Sequence, residues 1–187
     1  MPQLPAMNER IETGELVLTR IVPEDLPEIH RLHADPAVWR HLPSGRHTTL
    51  ERTRDMMEHY LADWREGLGY WTLRAGKTGD YVGIGGCRVR DGVAWNIYYR
   101  LDPAYHGRGY ATQVARAGMA HAARVRPELP ISAILLEHNL ASKAVAERLR
   151  LRLVWRGADE GNPDAAAIRL VYADREVTPA HLAVLRS

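Results

Sequence analysis

Alternation of apolar and polar side chains marks strands in the first half of the chain. Residues 15–22 alternate well enough to predict a first strand. Further strands are predicted over residues 70–74, 81–90 and 93–101, the last with apolar residues at strict period two. Short connections between these three predict antiparallel hairpins. We also predict a β-bulge at residues 85–86, because the apolar positions change parity there.

Capping residues and small side chains indicate the first three helices. A proline and two acidic residues favour a helix over residues 23–33. Thr48 and Glu51 match a capping box that opens a second helix, which extends to about Glu66. Gly107 opens a third helix of about 18 residues whose small residues share one face. We expect this third helix to lie close against a sheet.

The second half of the chain predicts a crossover between parallel strands. A mostly apolar strand at residues 131–136 follows the third helix, and strand–helix–strand units of this length are right-handed crossovers. A helix over residues 140–149 comes next. Two strands are then predicted at about residues 151–157 and 166–173, followed by a short helix from Thr178.

These elements predict one domain of the α/β (α+β) class over residues 1–187. We expect a mixed, mostly antiparallel sheet of six to seven strands, with a central parallel pair and flanking helices. Residues 1–13 are expected to form a loose arm, and residues 176–187 a C-terminal extension.

Composition excludes several classes of protein. The 187 residues are 45% hydrophobic and 26% charged, which is typical of a globular domain. Cys87 is the single cysteine, so neither an internal disulfide nor a cysteine-based zinc site is expected. No signal segment or membrane-spanning run is evident, which predicts a cytoplasmic protein without membrane contact. The net charge of +2 argues against a nucleic-acid partner, and the spacing of the histidines predicts no metal site.

The segment with the clearest chemistry is His-Gly-Arg-Gly-Tyr-Ala at residues 106–111, between a strand and a helix. Two glycines allow close approach of a ligand, and the free N–H groups of a first helical turn attract anions such as a pyrophosphate. A purely structural turn is the alternative interpretation. The segment lacks the Gly-Lys-Ser/Thr ending of a P-loop and the third glycine of a dinucleotide fingerprint, which disfavours a nucleotide-binding oxidoreductase.

In its context this segment resembles the GNAT superfamily of acyl-CoA-dependent N-acetyltransferases, most closely the ribosomal-protein (RimJ/RimL-like) branch. The resemblance runs from about Glu15 to Arg175 and rests on residues 99–112 and 139–149. Arg150 departs from it, because the family usually has glycine there. The resemblance implies direct transfer, in a ternary complex, of an acetyl group from acetyl-CoA to a primary amine of a protein N-terminus or small molecule. It also makes a homodimer the expected assembly.

The resemblance further implies which residues contact acetyl-CoA. Backbone amides of residues 108–112 would hold the pyrophosphate, and a backbone N–H of the preceding strand would polarise the thioester carbonyl. Arg108, Arg100 and Lys143 are expected around the phosphates. Asn139 would contact the cofactor arm, and it is equally suited to cap a helix. The full set of expected contacts is Tyr99, Arg100, Leu101, Arg108, Gly109, Tyr110, Ala111, Thr112, Asn139 and Lys143.

The catalytic groups follow the family pattern only in part. Ser142 matches the serine that the ribosomal branch is thought to use as the acid, and its alternative role is a backbone contact in the first helical turn. Ala146 replaces a common catalytic tyrosine, and Asn96 replaces a common acidic residue. His138 is the candidate base, with a water relay as the default. Trp39 and Asn96 are expected to contact the acceptor, although aromatic residues such as Trp39 more often occupy core positions.

The missing tyrosine and acidic residue keep a second hypothesis open. The chain could be a catalytically silent acyl-CoA-binding sensor or interaction module with the same fold.

Overall fold

The computed structural model describes residues 10–64 and 67–186 and has a mixed sheet flanked by helices. The strands are β1 (Ile11–Thr13), β2 (Leu16–Arg20), β3 (Tyr70–Ala75), β4 (Tyr81–Arg90), β5 (Ala94–Leu101), β6 (Ile131–Leu136), β7 (Arg152–Ala158) and β8 (Ile168–Ala173). The helices are α1 (Leu26–Ala34), α2 (Leu50–Asp63), α3 (Tyr110–Val125), α4 (Leu140–Arg148) and α5 (Pro179–Arg186). No helix within the described ranges has both the length and the apolar character needed to cross a membrane.

The strands form one sheet in the order β1-β2-β3-β4-β5-β6-β8-β7. β5 and β6 are parallel, and the other neighbouring strands are antiparallel. The mixed sheet with a central parallel pair is therefore confirmed. Its eight strands exceed the expected six to seven, because Ile11–Thr13, within the predicted arm, pairs with β2. Residues 1–9 of that arm lie outside the described residues.

Helices cover both faces of the sheet. α3 packs on one face, where Trp95, Val114 and Ala115 belong to one buried cluster. α1 and α2 pack on the other face, around a second cluster that includes Ile29 and Met57. A Cβ on a helical glycine of α3, at position 118, would lie 2.9 Å from Cys87 Sγ. This short distance confirms that the small face of α3 lies close to the sheet.

The irregularity in β4 lies nearer to its start than predicted. Val82 belongs to the cluster under α3, whereas Ile84 belongs to the cluster under α1 and α2. The pairing of β3 with β4 shifts between Leu73 and Arg74, opposite this point, whereas β4 pairs with β5 in continuous register through residues 85–86. The bulge predicted at residues 85–86 is therefore wrong, because the change of face occurs between residues 82 and 84.

The cap of α2 lies one residue later than the capping-box pattern predicted. The Thr49 side chain accepts a hydrogen bond from the Arg52 N–H at 3.3 Å, so Thr49 is the N-cap rather than Thr48. The helix ends at Asp63, and Glu66, to which it was predicted to extend, lies outside the described residues.

Arg150 occupies a backbone conformation that favours glycine. Its φ is +61°, and it follows the C-cap of α4. The Arg150 N–H donates to the Glu147 carbonyl at 2.9 Å, and the Leu151 N–H donates to the Ala146 carbonyl at 3.1 Å. These two bonds form a Schellman motif, in which glycine normally occupies the left-handed position. Arg150 therefore ends α4 at a cost in backbone strain.

Candidate active site

The parallel pair β5–β6 is short and opens into a cleft. Within the described residues it pairs at Trp95 with Ile131 and at Asn96 with Ser132, both near the strand starts. Beyond these residues the strands separate, since β6 continues beside β8 and β5 beside β4. A cavity of about 220 Å³ occupies the gap. It is lined by His41, Leu42, Ile97, Tyr98, Tyr99, Arg100, Ala133, Ile134, Leu135, Leu136, Asn139, Ser142, Asp159 and Arg169.

Backbone N–H groups of β5 point into this cleft. The Trp95 N–H donates to the Pro130 carbonyl, just before β6, at 2.8 Å. Alternate residues of a strand direct their N–H groups to the same side, so the Ile97 and Tyr99 N–H groups point toward the gap. The Asp102 N–H donates in the opposite direction, to a carbonyl of β4 at 2.9 Å. The cleft wall can therefore polarise a carbonyl oxygen placed in the gap.

The loop before α3 exposes backbone amides at a helix N-terminus. Gly107 and Gly109 both have φ of +77°, and a Cβ at either position would meet no atom within 4 Å. Within the described residues, the Tyr110 and Ala111 N–H groups have no hydrogen-bond acceptor, whereas the Thr112 N–H donates back to the Gly109 carbonyl at 3.1 Å. Open amides beside the positive end of a long helix form an anion site, and they fit a pyrophosphate.

The side chains around this loop anchor it to the fold. His106 Nε2 contacts the Leu101 carbonyl oxygen at 3.1 Å, which ties the loop to the end of β5. The Tyr110 phenol donates to Glu15 at 2.9 Å, so its side chain is directed into the protein and its backbone remains the part available to a ligand. Arg108 is exposed and can reach an anion on the loop.

Tyr99, Asn139 and Ser142 come together in the cleft, as the sequence predicted. Asn139 Oδ1 accepts a hydrogen bond from the Ser142 N–H at 3.1 Å, which confirms that Asn139 caps α4. The Ser142 and Tyr99 side chains both line the cavity. Burial raises the pKa of Tyr99, so its phenol stays protonated at neutral pH. Two hydroxyl-bearing side chains therefore line the same cavity.

The turn between β6 and α4 contains His138 beside the cleft. His138 Nε2 lies 2.9 Å from the His41 carbonyl oxygen, which links this turn to the segment between α1 and α2. Glu137 binds Arg156 through both carboxylate oxygens, at 2.7 and 2.9 Å, and this hydrogen bonding lowers the pKa of Glu137. Neither His138 nor Lys143 is among the residues that line the cavity.

Arg100 lies on the opposite face of β5 from Tyr99, because side chains alternate along a strand. Its guanidinium carbon is 3.4 Å from the Trp39 ring centroid, and its Nε donates to the Tyr98 phenol oxygen at 2.6 Å. The phosphate site proposed at the N-terminus of α3 is on the other face. The expected position of Arg100 beside the phosphates is therefore replaced by a position in the cavity wall.

Trp39 and Asn96 do not line the cavity. Trp39 is buried, and its Nε1 donates to the His33 carbonyl at 2.7 Å. The Trp39 ring packs against the Arg100 guanidinium, so Trp39 is a core residue. Asn96 lies at the paired end of β5, before the cleft opens, and its Oδ1 is buried without a hydrogen-bond partner among the described residues.

Three further polar residues line the cavity, namely His41, Asp159 and Arg169. Burial, followed by the charges of Arg100 and His138, lowers the pKa of His41 to about 4, so its imidazole is neutral at pH 7. Asp159 and Arg169 form an ion pair from the β7–β8 hairpin. Spacing along the chain contains no signal for them, because only the sheet order brings this hairpin beside β6.

Comparisons with known proteins agree with this geometry. The family profile described as "Acetyltransferase (GNAT) domain" matches residues 15–152. An acetyltransferase from Salmonella typhimurium that modifies the N-terminal serine of ribosomal protein L7/L12 is 23% identical, with a TM-score of 0.74, covering 91% of this chain and 100% of that one. An Agrobacterium tumefaciens acetyltransferase is 24% identical, with a TM-score of 0.71, covering 90% and 95% of the two chains. A comparison with curated protein sequences gives no significant match.

One structural neighbour contains coenzyme A. This neighbour is RimL, the ribosomal L7/L12 α-N-protein acetyltransferase, in complex with coenzyme A. It is 23% identical, with a TM-score of 0.74, and the match covers 88% of this chain and 97% of that one. At these identities the structural similarity establishes the fold alone. The family is established by the profile, which covers most of the chain. The protein belongs to the GNAT acetyltransferase family.

Proposed function

We propose that this protein transfers an acetyl group from acetyl-CoA to a primary amine by direct attack in a ternary complex. The observation that carries the proposal is the open β5–β6 cleft, which joins an anion site on one face of the sheet to a polar cavity. The Salmonella neighbour, which modifies an N-terminal serine, supports protein N-termini as one acceptor class. Small-molecule amines are the other class.

The loop and strand would hold acetyl-CoA, which supplies the activated acetyl group. Amides at Gly109, Tyr110 and Ala111, with the Arg108 guanidinium, would bind the pyrophosphate. The Ile97 and Tyr99 N–H groups would bind the arm and the thioester oxygen. Preorganised donors of this kind contribute about 3–4 kcal/mol to stabilisation of a transition state.

Ser142 is the proposed acid for the leaving thiolate. Ser142 and Tyr99 line the same cavity. Burial keeps the Tyr99 phenol protonated, so Tyr99 would be the group that returns a proton to Ser142. These two hydroxyl groups would take the place of the tyrosine that Ala146 replaces.

The amine must lose a proton before or during attack. His41 lies in the cavity as a neutral imidazole, but its lowered pKa makes it a weak base. His138 contacts the His41 carbonyl from the edge of the cleft. We therefore retain His138 as the candidate base, acting through water.

A panel of amines with acetyl-CoA tests the proposal. Release of free CoA is followed with N-terminal peptides, amino acids, polyamines and aminoglycosides, and each acetylated product is identified by mass spectrometry. We expect amine-dependent release with at least one class. Acetyl-CoA binding without turnover of any amine would instead favour the silent sensor or interaction module, which the residues Ala146 and Asn96 motivate.

The predicted homodimer and the predicted cytoplasmic location are tested separately. Sedimentation measures the mass of the purified protein, and cell fractionation measures its location.

A further inference from the structure

Arg100 is a buried cation for which the described residues supply no anion. It is 9% exposed. Its Nε donates to the Tyr98 phenol oxygen, one terminal nitrogen donates to the Val38 carbonyl at 3.4 Å, and its guanidinium covers the Trp39 ring. No ion pair in the described part of the chain includes Arg100. A carboxylate normally accompanies a guanidinium at this depth.

Neutral partners leave the charge of Arg100 uncompensated. A cation–π contact and hydrogen bonds to neutral oxygens offset part of the desolvation cost, but they do not cancel the charge. Three nearby imidazoles have lowered pKa values. Burial is the main cause, and the positive charge of Arg100 lowers the values further. These imidazoles belong to His33, His41 and His47.

The cavity itself carries this positive charge. Arg100 lines it together with Asp159 and Arg169, and these last two residues neutralise each other as an ion pair. His41, also in the lining, is neutral at pH 7 because its pKa is lowered to about 4. The lining therefore has one uncompensated positive charge, beside the same space that Ser142 and Asn139 face.

We propose that the acceptor is an amine that also carries a carboxylate, and that the Arg100 guanidinium binds this carboxylate. The inference rests on the proposed function and specifies its substrate class. A guanidinium fork matches a carboxylate well, and Arg100 lines the cavity without a protein anion beside it among the described residues. A polycation such as a polyamine or an aminoglycoside would place like charges together in a partly dehydrated site, which is unfavourable. Free amino acids and peptides with an acidic residue near the N-terminus both provide the required chemistry.

Matched pairs of acceptors test this proposal. Amino acids are compared with their amides, and short peptides with aspartate at the second position are compared with the same peptides carrying asparagine. The amide of an amino acid has the less basic amine, so any bias from deprotonation opposes the expected result. We expect kcat/KM to favour the carboxylate member by roughly 10- to 100-fold, the usual effect of one charge-assisted hydrogen bond. The pair with the larger ratio identifies the free amino acid or the peptide as the source.

Variants assign the preference to Arg100. Arg100→Gln should reduce the ratio within each pair toward one, mainly by raising KM for the carboxylate member, whereas Arg100→Lys should retain part of the ratio. Arg124→Gln, at an exposed position of α3, is the matched control and should leave the ratio unchanged. The ratio compares two acceptors on the same enzyme, so a uniform loss of stability in a variant cancels.

Three results would overturn the proposal, and they are distinguishable. Equal or faster acetylation of the amides or of a polyamine contradicts the role of Arg100 while leaving the acetyltransferase function intact. The absence of turnover with every amine, despite acetyl-CoA binding, overturns the proposed function and this inference with it. If Arg100→Gln does not fold, an unchanged ratio in Arg100→Lys and in Arg124→Gln alike also overturns it.

Discussion

Replacing Gly109 with alanine separates backbone strain from cofactor binding. Gly109 has φ of +77°, and an L-residue in that conformation loses about 1–2 kcal/mol. A Cβ there would meet no atom within 4 Å, so no clash adds to this cost. The new methyl group would, however, occupy the space beside the open amides of α3. Loss of one charge-assisted hydrogen bond to phosphate should weaken acetyl-CoA binding by roughly 10- to 100-fold.

Gly92 provides the matched control. It has φ of +74°, its Cβ would also meet nothing within 4 Å, and it lies in the turn before β5. The whole length of β5 therefore lies between Gly92 and the loop before α3. This length is roughly 26 Å, at about 3.3 Å per residue. Gly92→Ala should lose the same folding free energy, about 1–2 kcal/mol from backbone strain. Its affinity for acetyl-CoA should stay unchanged. Urea unfolding measures stability, and calorimetry measures acetyl-CoA binding.

Equal affinity of the two alanine variants would refute the assignment of the pyrophosphate site. Gly109→Trp extends the test, because an indole over the loop should abolish binding altogether. Retained affinity in that variant would place the cofactor elsewhere.

The remaining predictions concern catalysis and stability. Ser142→Ala should lower kcat more than it weakens acetyl-CoA binding in calorimetry; an unchanged kcat removes Ser142 as the acid. His138→Ala should erase the acidic limb of the kcat/KM profile, and a limb that persists dismisses His138 as the base. Burial lowers the pKa of His33 from 6.5 to about 3, so below pH 6.5 the unfolded chain takes up a proton that the folded protein does not. The contribution of His33 to stability should therefore fall by about 2 kcal/mol between pH 6.5 and pH 5 in urea unfolding, and the pH dependence of His33→Gln should be smaller by about that amount. Arg150→Gly should raise the free energy of unfolding by about 1 kcal/mol, because glycine accepts the left-handed conformation without strain; no change would argue that Arg150 is unstrained.

Sequence reasoning succeeded where the determining interactions are local. The cap that Asn139 gives α4 and the open loop before α3 depend on neighbours within a few residues. Strand alternation predicted most of β5, because its period is a property of consecutive residues. It failed for β1, where three residues are too few to show a period. It also misplaced the irregularity in β4, because both faces of that strand are buried and apolar parity alone does not report which face a residue occupies.

The composition of the cavity lining depended on the tertiary structure. Arg100 was expected near phosphates, yet its neighbours Trp39 and Val38 come from the segment after α1, far away in sequence. Asp159 and Arg169 reach the cavity because the antiparallel pairing of β8 with β6 brings their hairpin there.

By itself, the amino-acid sequence determined most of the element types, the open glycine-containing loop before α3 and the resemblance to the family, since propensity, capping and glycine conformations act over short separations. The tertiary structure decided how far β5 and β6 stay paired, which side chains meet in the gap and which charge is left without a partner. Those properties depend on packing and burial between segments distant in the chain, and the electrostatics of the cavity follows from them.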